Sequence, residues 1–347
     1  MVHLDTNAIS ILASNEDLQS AFFDYLSRTN EALILNYFQM MELIKSSDSA
    51  RVNERISFLR KAPRKRLLVP TLIEVVFHEI ADFYLLDRTL SKEEFREKYT
   101  IIIESNDEMA YLANTASAVW DNVRDSFHAS IGGDIFSKVV SQYKTGISKL
   151  RVRDFVKPKP NPRHPLFDKR DAERHFDRFA PDKSDTTVFC QYMNQVRRME
   201  DAGYDELIRF IENSMQEFYF PNEVWDWKIK KFMEQAYFMR RARHALRFFP
   251  DSEGISETFF KKINTCDLSC CPSFFISRKL MQYLNDRPTV TKPSDSFDIF
   301  YAGLLPYVDV YTCDNEIASA LTQIIRSNRL EKDRFNYYTL TDFRNFF

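Results

Sequence analysis

Glycine and long apolar runs are scarce in this sequence. Only six of the 347 residues are glycine, and no GxGxxG or Walker A motif occurs. Because glycine permits tight turns and close backbone approach to phosphate, this scarcity disfavours a glycine-cradled nucleotide site and turn-rich β architectures. No apolar run approaches the ~20 residues of a membrane helix, and the first residues lack a signal-peptide pattern. We therefore expect a cytoplasmic, largely helical protein without a membrane span.

Paired cysteine motifs and a strong excess of one charge are also missing. The five cysteines include Cys266, Cys270 and Cys271 in "CDLSCC", but no second half-site for zinc follows at suitable spacing. A disulfide framework and a structural zinc site are both disfavoured. Lys and Arg number 48 against 50 Asp and Glu, which gives a formal net charge of -2. Any surface that binds nucleic acid must therefore be a local cluster of basic residues.

Short apolar runs alternate with helical patterns at both ends of the chain. The runs are "VHLDTN", "EALILNY" and "LLVPT" near the start, and "YVDVYTCDN" and "NYYTLTDFRNFF" near the end. This alternation predicts an α/β fold with a parallel sheet covered by helices, formed by the two ends of the chain. Helical periodicity from about residue 90 to residue 285 predicts an all-helical middle, and residues 76–284, between the two α/β ends, are assigned to an α-helical insertion. Within it, the prolines between residues 157 and 165 indicate an extended linker.

Four acidic residues follow the predicted strands or begin the helices after them. Asp5 ends the first strand, Glu42 lies in the helix after the second, and Asp314 follows a late strand. Asp298 is predicted in the first turn of a helix capped by Ser294 or Asp295. Ligand sites of such sheets lie at the carboxyl ends of strands, so the four acids are expected to converge. Converging carboxylates must keep a proton or bind a cation, and oxygen ligands suit Mg²⁺ or Mn²⁺.

The segments "HLDTNAIS", "MMEL" and "SDSFDIFYAGLLPYVDVYTCDN", in this order, resemble the PIN-domain nucleases. The resemblance covers roughly residues 1–75 and 285–347 and implies a PIN-like core with a mostly parallel central sheet. It also implies metal-dependent hydrolysis of a phosphodiester, most often in RNA. By this resemblance the catalytic metal ligands are Asp5, Glu42, Asp298 and Asp314, and the polar supports are Asn7 and Thr312. Asp295 is added as a support because it precedes Asp298 at the predicted helix start.

Simpler interpretations remain open for these residues. Asp5 is also a suitable N-cap and Asp314 a suitable strand-end turn residue, while Glu74 and Glu79 could take the place of Glu42. His78 shares their helix and is interpreted as a packed residue. At the level of function, a structure-selective DNA nuclease and a catalytically inactive RNA- or protein-binding scaffold are the alternatives.

Basic residues at helical spacing form the predicted substrate surface. Arg240, Arg243 and Arg247 recur every three or four positions, with Tyr237, Phe238, Phe248 and Phe249 nearby. Such a stripe could follow the phosphates of single-stranded RNA while aromatic rings stack on bases, or it could be a solvated helix face. The helical insertion could restrict which RNA enters, or mediate a homodimer or contact with an inhibitory protein.

Overall fold

The structure, a computed structural model, describes residues 1–44, 48–105, 114–115, 150–156, 205, 207–286, 294–330, 334–339 and 341–342. The chain folds into two units, and each is described by itself. Unit 1 comprises Met1–Gly132 and Asp267–Phe347, and unit 2 comprises Gly133–Cys266. Among the described residues, none of the helices has the length and apolar character needed to cross a membrane.

A mixed sheet forms the centre of unit 1. In chain order the strands are β1 (Val2–His3), β2 (Leu33–Leu35), β3 (Lys65–Leu68), β4 (Thr100–Ile103), β5 (Val310–Cys313) and β6 (Tyr337–Thr339). Their order across the sheet is β4-β3-β2-β1-β5-β6. Neighbouring strands are parallel except β3 and β4, which are antiparallel. The predicted α/β class is therefore confirmed, with a mostly parallel sheet.

Helices connect the strands of unit 1 and form the described part of unit 2. Unit 1 begins with α1 (Thr6–Ala13), α2 (Glu16–Thr29), α3 (Tyr37–Ile44), α4 (Ser49–Lys61), α5 (Leu72–Leu86) and α6 (Lys92–Tyr99). Unit 2 contains α7 (Arg153–Val156), α8 (207–217), α9 (Ile229–Ala245) and α10 (Ser252–Thr265). Unit 1 resumes with α11 (Pro272–Asp286), α12 (Ser294–Ala302) and α13 (Asn315–Ser327).

Burial explains why such short strands persist. All three residues of β2 are fully buried, as are Val2 and Leu4 of the β1 segment. Strands of a parallel sheet are covered on both faces by helices, so they read as continuous apolar runs. This pattern predicted β1, β2, β3, β5 and β6 correctly. In unit 2 a separate core gathers around Phe232, with Val152 and Ile211 also fully buried.

The all-helical prediction for the middle of the chain is wrong at β4. Thr100–Ile103 follows α6 without a turn and pairs antiparallel with β3, which places a strand where only helices were expected. The predicted insertion also has limits that differ from those of unit 2. Helices α5, α6 and α11 lie within residues 76–284 in whole or in part, yet they belong to unit 1. The predicted linker at 157–165 lies outside the described residues.

Candidate functional site

Asp5 joins β1 to α1 and is held from two sides. Its carboxylate Oδ1 caps α1 by accepting a hydrogen bond of 2.8 Å from the backbone N of Ala8. The Thr312 hydroxyl on the neighbouring strand β5 accepts from the Asp5 backbone N at 2.8 Å and donates to Oδ1 at 3.1 Å. Within the described chain, no hydrogen bond is made to Oδ2 of Asp5. The N-cap interpretation is therefore correct for one carboxylate oxygen and leaves the other available.

Asp314 repeats this construction at the end of β5. Its Oδ1 caps α13 by accepting from the backbone N of Ile317 at 2.8 Å, while Oδ2 has no hydrogen-bond donor among the described residues. Strands β1 and β5 are parallel neighbours with His3 opposite Tyr311, so both aspartates follow the carboxyl ends of adjacent strands. Two partly buried carboxylates thus share one sheet edge, and each has an oxygen that the described protein groups do not use.

Glu42 is tied to the same region by two hydroxyl groups. Its Oε2 accepts from Thr6 Oγ1 at 2.5 Å and from the Tyr301 hydroxyl at 3.1 Å. Thr6 directly follows Asp5, and the buried Tyr301 lies on α12 three residues after Asp298. Tyr301 was not predicted from the sequence, because a tyrosine in an apolar helical pattern is indistinguishable from an ordinary core residue. Its spacing of three from an acid was the available signal.

Electrostatic interactions connect all four predicted acids. The pKa of Asp5 is raised to about 6, chiefly by burial and to a smaller extent by the charges of Glu42 and Asp314, although the hydrogen bonds from Ala8 and Thr312 lower it. Burial, together with the charges of Asp5, Asp314 and Asp298, also raises the pKa of the Cys313 thiol well above its usual value. The charges of the four carboxylates therefore affect neighbouring groups in the same part of unit 1. Negative charge concentrated in this way is unfavourable without a cation.

His3 lies beneath this neighbourhood as a neutral ring. It stacks on Tyr311 and tilts against Tyr301, with a ring-centroid distance of 5.1 Å to each. Burial lowers the pKa of His3 to about 3. Neither ring nitrogen has a hydrogen-bond partner among the described residues. His3 therefore contributes no positive charge that would offset the acids.

The donor chemistry fits a hard cation, but the observed positions do not form a closed cage. In the part of the chain that the structure describes, no three His, Cys, Asp or Glu side chains are arranged to hold one metal ion. The available groups are carboxylate oxygens, which Mg²⁺ and Mn²⁺ prefer. The site is therefore a candidate for a cation by the chemistry of its donors.

Three residues predicted for this site either differ from the prediction or have side chains outside the described part of the chain. The described part of α12 begins at Ser294, which makes Asp298 its fifth residue or later rather than a first-turn residue. Asp295 belongs to the same helix, but its side chain is outside the described part, so its supporting role stays a prediction. Asn7 is exposed and makes no hydrogen bond with a described residue.

The two glutamates that could have replaced Glu42 have other partners. Glu74 forms a capping box with Thr71 at the start of α5. The carboxylate of Glu79 accepts hydrogen bonds from the backbone N of Ser273 at 3.0 Å, the backbone N of Phe274 at 3.3 Å and the Tyr307 hydroxyl at 2.5 Å. Burial raises the pKa of Glu79 to about 7 although these hydrogen bonds lower it. Glu79 thus links α5 to the start of α11.

His78 lies on α5, the helix that also contains Glu74 and Glu79. Its ring lies 4.9 Å from the Tyr99 ring, centroid to centroid. Burial lowers the pKa of His78, which favours the neutral ring. These observations agree with its interpretation as a packed residue.

The basic stripe of unit 2 is partly neutralised within the unit. Arg243 pairs with Glu217, and Arg240 lies 4.0 Å from the same carboxylate and 4.6 Å above the Phe210 ring. Arg247 is exposed and makes no ion pair with a described residue. Of the aromatic residues nearby, Phe238 is fully buried, whereas Phe248 is 43% exposed. Arg247 and Phe248 are therefore the members of the stripe that remain suited to a ligand.

Comparison of the chain with protein-family models, curated proteins and solved structures found no match.

Proposed function

We propose that this protein is a ribonuclease that depends on Mg²⁺ or Mn²⁺ and has a PIN-like core in unit 1. The observation that carries the proposal is the pair of strand-end aspartates. Asp5 and Asp314 follow adjacent parallel strands, and each uses Oδ1 as a helix cap while Oδ2 lacks a described hydrogen-bond donor. The charge of Glu42 acts on Asp5 in the same neighbourhood. Open, repelling carboxylates of this kind are suited to cation binding.

Each acidic residue has a role in the proposed reaction. Asp5 and Asp314 would hold the cation through their open oxygens, and Asp298 and Glu42 would complete its surroundings. A divalent ion in such a site lowers the pKa of a bound water and neutralises charge on the scissile phosphate. Thr312 fixes the orientation of the Asp5 carboxylate, while Thr6 and Tyr301 fix that of Glu42. Hydrogen bonds of this kind set the direction from which a carboxylate meets its ligand.

Unit 2 supplies further proposed contacts with RNA. Arg247 can contact a phosphate, and the neighbouring exposed ring of Phe248 can stack on an unpaired base. This combination favours single-stranded RNA, because the faces of paired bases are not accessible for stacking.

The proposal is tested by incubating the purified protein with labelled single- and double-stranded RNA and DNA, in Mn²⁺ or in EDTA. We expect cleavage of RNA in Mn²⁺ that EDTA prevents and that Asp5→Asn removes. Asp24→Asn, which changes an exposed acid of α2 in the same unit, is the matched control and should cleave like the wild type.

Three results would contradict the proposal. Unchanged cleavage by folded Asp5→Asn would remove the acidic site from the reaction. Cleavage restricted to DNA would favour the structure-selective DNA nuclease. If the wild type neither cleaves nor gains thermal stability from Mn²⁺, the inactive scaffold becomes the better description.

A further inference from the structure

Arg55 is a cation of unit 1 that is fixed by neutral partners. It lies on α4, where its Nε donates to the Ser10 hydroxyl at 2.9 Å and its Nη1 donates to the Leu43 carbonyl at 3.2 Å. No ion pair with a described residue involves Arg55. Its Nη2 donates to no described group and is not among the buried unsatisfied atoms, so solvent reaches it. The guanidinium is therefore anchored on two sides while part of its N–H surface remains open.

Both anchors of Arg55 are directly connected to the acidic site. The Ser10 hydroxyl that accepts from Arg55 donates in turn to the Thr6 carbonyl at 2.7 Å. The Thr6 side chain donates to Glu42, and Leu43 is the next residue along α3. Each anchor therefore leads to one partner of the hydrogen bond between Thr6 and Glu42. Ser10 bonds to Thr6, and Leu43 follows Glu42 in the chain.

Several other cations of unit 1 are engaged differently. Arg51, Arg88, Lys92, Arg96 and Lys98 each pair with a carboxylate. The positive charge of Arg55 is not offset in this way by a described residue. Four carboxylates repel a polyanion, and a nearby fixed guanidinium reduces that repulsion. A guanidinium also matches the geometry of phosphate oxygens, and one that is already held in place loses little conformational entropy on binding.

We propose that Arg55 binds a non-bridging phosphate oxygen of the RNA strand, at a phosphate next to the one that is cleaved. The inference depends on the proposed function, because it supplies the substrate contact of that site. Arg55 acts in substrate binding and not on the reacting atoms. Its loss should therefore raise KM more than it lowers kcat.

The experiment compares Arg55→Met with the wild type. The measurements are kcat and KM for single-stranded RNA in Mn²⁺, and the Kd of the same RNA over a salt series in Ca²⁺. We expect KM and Kd to rise about tenfold. The slope of log K against log salt should become shallower by ~0.7, the value for one phosphate contact on a single strand. Arg66→Met is the matched control, because Arg66 also bonds only to oxygens of Thr100, at the edge of the sheet. It should leave the slope unchanged.

The outcomes separate the two proposals. If the wild type cleaves RNA and Arg55→Met keeps the wild-type KM and salt slope, Arg55 is only a structural anchor and this inference fails alone. If the wild type does not bind or cleave RNA, both proposals fail. Should Arg55→Met not fold, Arg55→Lys decides: it keeps the charge, but its single nitrogen cannot occupy the separate positions of Nε, Nη1 and Nη2, so KM should rise about threefold. An unchanged KM in Arg55→Lys would overturn the inference.

Discussion

Unit 1 contains two buried acidic centres that are built in opposite ways. Burial raises the pKa of Asp5 and of Glu79 alike, to about 6 and about 7. Glu79 is surrounded by donors, since two backbone N–H groups and the Tyr307 hydroxyl point to its carboxylate. Asp5 instead has the charges of Glu42 and Asp314 as neighbours, and no described donor reaches its Oδ2. The Glu79 carboxylate is enclosed by protein donors, whereas one oxygen of the partly buried Asp5 carboxylate has no described donor.

The difference indicates what each acid does. A buried polar group that serves the fold is normally hydrogen bonded, because an unsatisfied one costs ~1–3 kcal/mol. Glu79 meets this condition and connects two helices. Asp5 is hydrogen bonded through one oxygen and faces like charges, and its other oxygen is left to solvent or to a cation. Substitutions at the two sites should therefore affect different quantities.

The largest effect is expected for Asp5→Asn. The amide keeps the size of the side chain and can keep the helix cap, but it removes the negative charge that the proposed cation requires. Cleavage of RNA in Mn²⁺ should fall by about 10³-fold, equivalent to ~4 kcal/mol of activation free energy. The thermal unfolding midpoint should change little, and a large loss of stability with residual activity would assign Asp5 to the fold.

Glu79→Ala should lower the stability of the fold and leave cleavage of RNA unchanged. It removes the acceptor for Ser273, Phe274 and Tyr307, and so leaves buried donors without a partner. The free energy of unfolding, measured in urea, should fall by about 3 kcal/mol, while kcat of the folded fraction stays unchanged. A selective loss of kcat would show that this centre belongs to the reaction.

The raised pKa of Glu79 predicts a dependence of stability on pH. Between its ordinary pKa of 4.5 and its folded pKa of about 7, the folded state binds more protons than the unfolded state. Stability therefore decreases as pH rises through this range, by about 2 kcal/mol between pH 5 and pH 8. Urea unfolding at both pH values measures this change. Glu79→Gln should abolish this contribution, and an equally steep dependence in that variant would assign it to other groups.

The smallest effect is expected for Tyr301→Phe. The change removes the Tyr301 hydroxyl as a donor to Glu42 and leaves the buried ring in place. The Mn²⁺ concentration for half-maximal cleavage should rise about tenfold, a typical effect of losing a hydrogen bond to a metal ligand. Tyr311→Phe is the control, because this buried phenol donates no hydrogen bond to a described carboxylate. Equal effects in both variants would contradict a specific role for Tyr301.

Most of the sheet could be predicted because its strands are buried runs separated by helical patterns. The exception, β4, is instructive. Thr100–Ile103 follows Tyr99 of α6 without a glycine, proline or other turn signal, so four more residues appear to continue the helix. Pairing with β3, which lies more than thirty positions earlier in the chain, decides its conformation. Short-range periodicity cannot detect a long-range partner of this kind.

Part of the candidate site could also be predicted from the sequence. Asp5, Thr312 and Asp314 could be placed together, because each lies beside the end of an apolar strand and parallel strands bring such ends to one edge. Tyr301 and Arg55 could not, since their hydrogen bonds come from α12 and α4 and depend on helix packing. The ion pair between Arg243 and Glu217 was missed for the same reason. Contacts that follow from topology were accessible, whereas contacts that follow from packing were not.

The hydrogen bonds between Asp5 and Thr312 join residues that are 307 positions apart. During translation at ~5–20 residues per second, the ribosome adds β5 roughly 15 to 60 s after β1. Until then one side of β1 has no neighbouring strand, and the nascent chain lacks half of the aspartate pair. The proposed catalytic pair therefore forms only after β5 has been made and has paired with β1.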